Sequence, residues 1–268
     1  MVSLAIVEIR SLVKSFKTLK AVDSISLNVE NGEIFGLLGP NGAGKTTTVK
    51  ILTTLLPPTS GEAFVGGFNV VHEASKVRRV IGYVPQALSA DGTLTGYENL
   101  LIFAKLYDIP SNVRKQRIMD ILDFMGLSEH ANKLVRNYSG GMIRKLEVAQ
   151  ALLHNPKVLF LDEPTVGLDP VARQVVWDHV TKLKNEFGMT IFMTTHYMEE
   201  AEMLCDRVAI MNLGKIAAIG TVEELKNSIG KANATLDEVF VYYSGSTLDS
   251  GGSYRDSART RKIAKRLG

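Results

Sequence analysis

Only one cysteine, Cys205, occurs in the 268 residues, so no internal disulfide can form and the fold shows no dependence on an oxidising compartment. No CxxC pair or Cys/His cluster is present, which removes the usual zinc patterns. Long apolar runs are missing too. The longest stretch without Asp, Glu, Lys or Arg is Phe187 to Met198, and it contains Thr, His and Tyr. A membrane-crossing helix needs about 18 or more apolar residues, so a soluble chain is expected, with any membrane role exercised through a partner. Met1–Ile9 is too short, and too soon charged at Glu8, to read as a signal peptide. Charge of one sign is scarce: 31 Lys and Arg against 28 Asp and Glu leave +3, too little to argue for nucleic acid. What the chain does have is 45% hydrophobic residues, enough for one large core or two small ones.

The stretch around which the rest is organised is Gly39-Pro40-Asn41-Gly42-Ala43-Gly44-Lys45-Thr46. An apolar run, Ile34-Phe35-Gly36-Leu37-Leu38, precedes it and reads as a strand. Thr47 to Leu56 follows as a helix that Pro57-Pro58 must end. Glycines let successive N–H groups turn inward around an anion, and the helix start adds unpaired donors and the positive end of its dipole. Lys45 supplies a cation for β- and γ-phosphates, and the Thr46 hydroxyl can hold Mg²⁺. A glycine-rich turn matching by chance would lack this strand-before, helix-after context. The segment therefore reads as a nucleoside-triphosphate site.

Along the chain, Ile25, Leu27 and Val29 alternate with polar residues before the Asn31-Gly32 turn, which predicts short strands in the first thirty residues. Gly61–Gly67 and Val80–Val84 read as further strands. Tyr97–Tyr107, Asn112–Met125 and Met142–His154 carry apolar residues at three- and four-residue spacing. Then strands and helices alternate through Val158–Leu161, Val171–Phe187, Thr190–Thr195, Glu199–Leu204 and Val208–Met211. The pattern predicts an α/β core with a mostly parallel sheet, an N-terminal antiparallel β portion and a helical insertion. From Ser244 the composition shifts to Ser, Gly and Thr, and Tyr254–Gly268 is strongly basic. Such a tail reads as solvated and disordered, with contact to anionic lipid headgroups or a vector-derived origin as alternatives.

Val158-Leu159-Phe160-Leu161-Asp162-Glu163 is a buried-strand run ending in two carboxylates. Ligands in open α/β sheets bind at the carboxyl ends of strands, so Asp162 is placed to hold Mg²⁺ through water and Glu163 to act as general base on the attacking water. The structural alternative is a pair of acids capping the next helix. His196 closes the strand Ile191–Thr195 and is assigned to the γ-phosphate or its water. A lone histidine there is otherwise structural, and His72, His130, His154 and His179 are assigned no role. Gln86 ends another strand, where its amide can bind Mg²⁺ or the attacking water. Ser139-Gly140-Gly141 stands before a helix and reads either as a plain cap or as a second anion site.

Together these segments resemble the ATP-binding subunits of ABC transporters over about residues 4–225. Gly39–Thr46 is similar to Walker A, Gln86 to the Q-loop, and Tyr138-Ser139-Gly140-Gly141-Met142 to the signature. Val158–Glu163 is similar to Walker B, Gly167-Leu168-Asp169-Pro170 to the D-loop, and His196 to the H-loop. The resemblance implies a P-loop NTPase fold with ATP and Mg²⁺ as its ligands. It implies nucleotide contacts from residues 39–47 (Pro40, Asn41, Gly42, Ala43, Gly44 and Thr47 among them) and adenine stacking on Phe16. Catalysis falls to Glu163, His196 and Gln86, and the metal to Thr46, Gln86 and Asp162. In this family two cassettes pair head to tail, each ATP lying between Walker A of one and the signature of the other, so Ser139, Gly140 and Gly141 would meet a second copy's nucleotide. Tyr138 stands where the family usually has Leu, which implies a reshaped nucleotide contact and lower rates rather than inactivity.

The segment Gln86–Leu100 is similar to that of daunorubicin-type drug exporters, and Ala234-Thr235-Leu236-Asp237-Glu238-Val239-Phe240 is similar to an element of their C-terminal extensions. The resemblance implies an ATPase on the cytoplasmic face of the membrane, working with a separate transmembrane permease that docks on residues 87–100, and no nucleic-acid partner. The expected division is an ATP-binding domain over 1–225, its helical part at about 87–155, and an extension over 226–268. An importer ATPase and a soluble ABC ATPase are the alternatives. Too few residues follow 225 for an importer's regulatory domain, and no heptad run separates Gly39 from Ser139 as in DNA-repair members.

Overall fold

The computed structural model describes residues 5–231 and 233–244; the basic tail lies outside the described residues. Two sheets form its frame. The first is antiparallel and four-stranded, built from β1 (Val7–Phe16), β2 (Leu19–Val29), β4 (Ser60–Val65) and β5 (Phe68–Asn69) in the order β2-β1-β4-β5. The second contains β3 (Ile34–Leu38), β6 (Ile81–Val84), β7 (Val158–Asp162), β8 (Thr190–Thr195), β9 (Arg207–Asn212) and β10 (Lys215–Gly220), in the order β10-β9-β3-β8-β7-β6. All neighbours in it are parallel except β10, which returns antiparallel to β9.

The strands β3, β7 and β8 are buried along their whole length, as a parallel sheet covered on both faces requires. Their side chains divide with period two. Phe35, Phe160 and Phe192 point to one face, where their rings sit 5.4 and 5.5 Å apart across three strands. That face is closed by the antiparallel sheet and α1 (Lys45–Leu52), through Val49, Ile51 and Leu52. Ile34, Leu159, Leu161, Ile191 and Met193 point to the other, covered by α5 (Gly140–Leu152) and α6 (Pro170–Phe187). The helical insertion comprises α3 (Gly96–Leu106), α4 (Ser111–Phe124) and α5. Thr95 and Glu98 start α3 with a reciprocal capping box.

Some elements differ from the sequence reading. Helix α1 starts at Lys45 and stops at Leu52, four residues before the expected end, because Thr54 turns into the left-handed region at φ 64°. A helix not foreseen, α2 (Ala74–Val80), precedes β6; only Val77 of it is buried, so it carries no apolar stripe. Residue 225, the last of the expected ATP-binding domain, lies in α8 (Val222–Ser228). Leu225 of α8 and Leu236, Val239 and Phe240 of α9 (Leu236–Ser244) pack with Leu38, Val208 and Ile210 of the main sheet and Ala201 of α7 (Met198–Leu204).

Candidate active site at the carboxyl edge of the sheet

Because β3, β6, β7 and β8 run parallel, their carboxyl ends lie on one edge, and the residues that follow them converge there. Gly39 follows β3, Gln86 lies two residues beyond β6, Glu163 follows β7 and His196 follows β8. A cavity of about 350 Å³ opens at this edge, lined by Phe16, Leu19 and Ala21, the loop and helix start Asn41–Thr47, Gln86 and Glu163. Phe16 is 45% exposed, and Lys14 Nζ lies 5.2 Å from the centre of its ring.

The glycines of the loop are needed where the chain turns into α1. Gly44 caps that helix at φ 111°, and a Cβ there would collide with the Ala21 carbonyl. Lys45 and Glu163 are each only 4% exposed and form an ion pair at 3.0 Å. Lys45 Nζ also donates to the carbonyls of Gly39 (2.8 Å) and Pro40 (3.1 Å).

Glu163 is the hub. Its Oε2 accepts from Gln86 Nε2 at 3.0 Å and lies 3.3 Å from His196 Nδ1. The His196 contact, and after it the Lys45 ammonium, hold the Glu163 carboxyl below the usual range although burial opposes them. Its backbone is left-handed at φ 48°, a conformation that costs a residue with a Cβ about 1 kcal/mol or more and is held by bonds from Glu163 N to the Thr194 carbonyl (3.1 Å) and hydroxyl (3.0 Å).

Asp162 behaves in the opposite way. Burial pushes its carboxyl up, against the hydroxyls of Thr194 and Thr46, which donate to Oδ1 at 2.6 and 3.0 Å. The nearest partners of this buried carboxylate are thus neutral hydroxyls, an oxygen-rich setting that suits a hard divalent cation. Among the described residues no cluster of three or more His, Cys, Asp or Glu could hold a metal, so any magnesium here would need phosphate and water beside the few side chains of this edge.

Ser139, Gly140 and Gly141 do not line this cavity. Ser139 caps α5, its Oγ accepting from Met142 N at 3.3 Å, and Gly140 and Gly141 open the helix. Tyr138 turns inward: it is 7% exposed, and its hydroxyl donates to the His130 carbonyl at 2.6 Å. The first residue of the signature-like segment therefore packs in the helical insertion. Tyr138→Phe is expected to lower the stability measured by denaturant unfolding by about 0.5–1.5 kcal/mol, the worth of one such bond, and to leave ATP turnover unchanged.

Two residues escaped the sequence reading. Thr194 sits opposite Asp162 in the β7–β8 register, a non-local pairing that no motif announces. Glu200, fully buried on α7, accepts from Thr165 Oγ1 at 2.9 Å and Trp177 Nε1 at 3.0 Å, tying the helix after His196 to the turn after Glu163. Burial raises its carboxyl pKa.

Comparison with known proteins points to one family. The family model described as "ABC transporter" matches residues 22–166. The chain is 43% identical to the linearmycin resistance ATP-binding protein LnrL of Bacillus subtilis, over 81% of this chain and 70% of that one. It is 44% identical to the daunorubicin/doxorubicin resistance ATP-binding protein DrrA of Streptomyces peucetius, over 84% of this chain and 68% of that one. A solved dimeric structure of the ATP-binding cassette MJ0796 in a post-hydrolysis state, bound to ADP and Pi, superposes with a TM-score of 0.72 at 28% identity, covering 80% of this chain and 98% of that one. The protein belongs to the ABC transporter family. Within that family it is an ATP-binding subunit that hydrolyses ATP.

Proposed function

We propose that this subunit powers the export of drugs, lipids or other hydrophobic compounds through a separate membrane permease. The observation that carries the site assignment is the placing of Glu163, which meets Lys45, Gln86 and His196 beside the phosphate loop. Phe16 offers a ring face to adenine, and Asn41–Thr47 offer N–H donors to the phosphates. Thr46 and Asp162, with the Gln86 amide, would hold Mg²⁺, which neutralises charge on the β- and γ-phosphate oxygens. Lys45 turns its ammonium to the same phosphates. Glu163 takes the proton of the attacking water, and Gln86 and His196 orient that water. In the free subunit His196 and Lys45 hold the Glu163 carboxyl below its usual range, so its protonation is expected to put no acid limb on kcat/KM between about pH 6 and 8, read from the pH profile of ATP hydrolysis.

Pairing with a second copy, head to tail, supplies what the cavity lacks. Ser139, Gly140 and Gly141 stand outside it with a helix N-terminus to offer, and the similar MJ0796 cassette was solved as a dimer. Ser139→Ala is expected to weaken ATP-driven pairing, read by size-exclusion chromatography, and to leave nucleotide affinity of the monomer unchanged. The reverse result would make Ser139 a plain cap.

The drug-resistance relatives support the exporter reading, and residues 87–100 are the proposed docking surface for the permease at the cytoplasmic face of the membrane. No helix among the described residues is long and apolar enough to cross a membrane, so the membrane path is assigned to that partner. Residues 226–268 are proposed as an extension of the 1–225 cassette. The test is a pull-down of tagged Glu163→Gln from native membranes with ATP. Co-purification of a polytopic protein without its own cassette is the expected result; ribosomal or DNA-associated partners alone would overturn it.

A further inference from the structure

The Arg144 side chain, the largest of those fully buried, lies on α5, five residues past Ser139. Arg144 and Glu147 pair one turn apart at 2.9 Å, each side chain 1% exposed. Arg144 reaches out of its helix: Nη1 donates to the Pro85 carbonyl at 2.7 Å and Nη2 to the Gln86 carbonyl at 2.9 Å. Glu147 Oε1 accepts from Ser89 N, and from Ser89 Oγ at 3.1 Å. Residues 85–89 belong to no helix or strand. Among the described residues, the side-chain bonds that fasten them are these four and the one from the Gln86 amide to Glu163.

A buried ion pair is a poor source of stability, because its desolvation offsets the Coulomb gain, and apolar side chains of like volume serve as well or better. Here burial pulls the Arg144 pKa down even with Glu147 beside it, and Nε has no hydrogen-bond partner. What the pair does accomplish is geometric. A planar fork holds two successive carbonyls and a carboxylate from separate nitrogens in fixed directions, whereas a lysine offers the same acceptors a single rotatable point charge on a flexible stem and an apolar residue offers them nothing.

We propose that Arg144 is a positioning residue that binds α5 to residues 85–89 as one unit, so that the helix capped by Ser139 sets the Gln86 amide against Glu163. The connection runs from the face offered to the second copy's nucleotide to the base of the chain's own site. It rests on the roles assigned to Gln86 and Glu163. A seating of the signature that shifts α5 is carried by Arg144 to Gln86, and an error of about 1 Å in such positioning costs on the order of 10²-fold in rate.

The test compares the full-length wild type with Arg144→Lys, the apolar double variant Arg144→Met with Glu147→Leu, and Glu163→Gln as a control. The readouts are thermal unfolding, affinity for a fluorescent ATP analogue, and kcat. The apolar pair is expected to keep the thermal midpoint and the nucleotide affinity while kcat falls by about 10–100-fold. Arg144→Lys, which keeps the charge but loses the fixed directions of the fork, is expected to fall between it and wild type. A folded apolar pair with wild-type kcat would overturn the inference. So would a kcat loss matched by equal losses of affinity and thermal midpoint, which would reduce Arg144 to a packing role. Normal turnover by Glu163→Gln would instead remove the base assignment beneath it, so the two failures read differently.

Discussion

Replacing Glu163 by glutamine is expected to slow ATP turnover by roughly 10²–10⁴-fold, the worth of a positioned general base, while ATP binding persists. The substitution isolates the proton. Glutamine has the same length, meets the same left-handed backbone at φ 48°, and keeps an oxygen able to accept from Gln86 Nε2. What disappears is the charge that Lys45 and His196 now face. The check is single-turnover hydrolysis beside nucleotide affinity. With hydrolysis blocked, the ATP-bound pair should accumulate, visible as a dimer in size-exclusion chromatography with ATP and Mg²⁺. Normal turnover would assign the proton to another group, and a strictly monomeric profile would count against head-to-tail pairing.

Lys45→Ala is expected to remove ATP binding. A charge-assisted bond to phosphate contributes about 1.5–3 kcal/mol, and an ammonium that reaches two phosphates therefore accounts for about 10²–10⁴ in affinity. The substitution also strips Glu163 of its buried cation, which would raise the Glu163 pKa. Calorimetric titration with Mg-ATP measures the first effect, and thermal unfolding separates it from misfolding. An unchanged affinity would mean that the backbone of residues 39–44 carries the phosphates alone.

The fold was legible where burial is continuous or the motif is local. Ile34–Leu38 and Val158–Leu161 read as strands because both faces of a parallel sheet are covered, so each run is apolar throughout, and Thr190–Thr195 reads so from its apolar centre Ile191–Met193 and its β-branched threonines. Their shared polarity then placed Gln86, Glu163 and His196 on one edge with the phosphate loop. The short α2, with Val77 as its one buried residue, offered no period to read. Nor did β10, an edge strand whose Ile216, Ala217, Ala218 and Ile219 run together without alternation and which returns through the Leu213-Gly214 turn. The left-handed turn at Thr54 needed no glycine and gave no warning. Thr194 against Asp162, Glu200 beneath Thr165, and Arg144 across to Pro85 and Gln86 are products of register and packing, which sequence spacing does not encode.

The inward turn of Tyr138 gives one pentapeptide two masters. Its first residue answers to the packing of the helical insertion, and in the pairing proposed above Ser139, Gly140 and Gly141 answer to whatever sits across the interface. Substitutions at 138 that refill the same space should therefore drift freely among descendants of this chain, adjusting heat tolerance without touching chemistry. Changes one to three residues later would be purged. A library randomised over residues 138–141 and sorted for ATP hydrolysis would show that split as a sharp step in tolerance between adjacent codons.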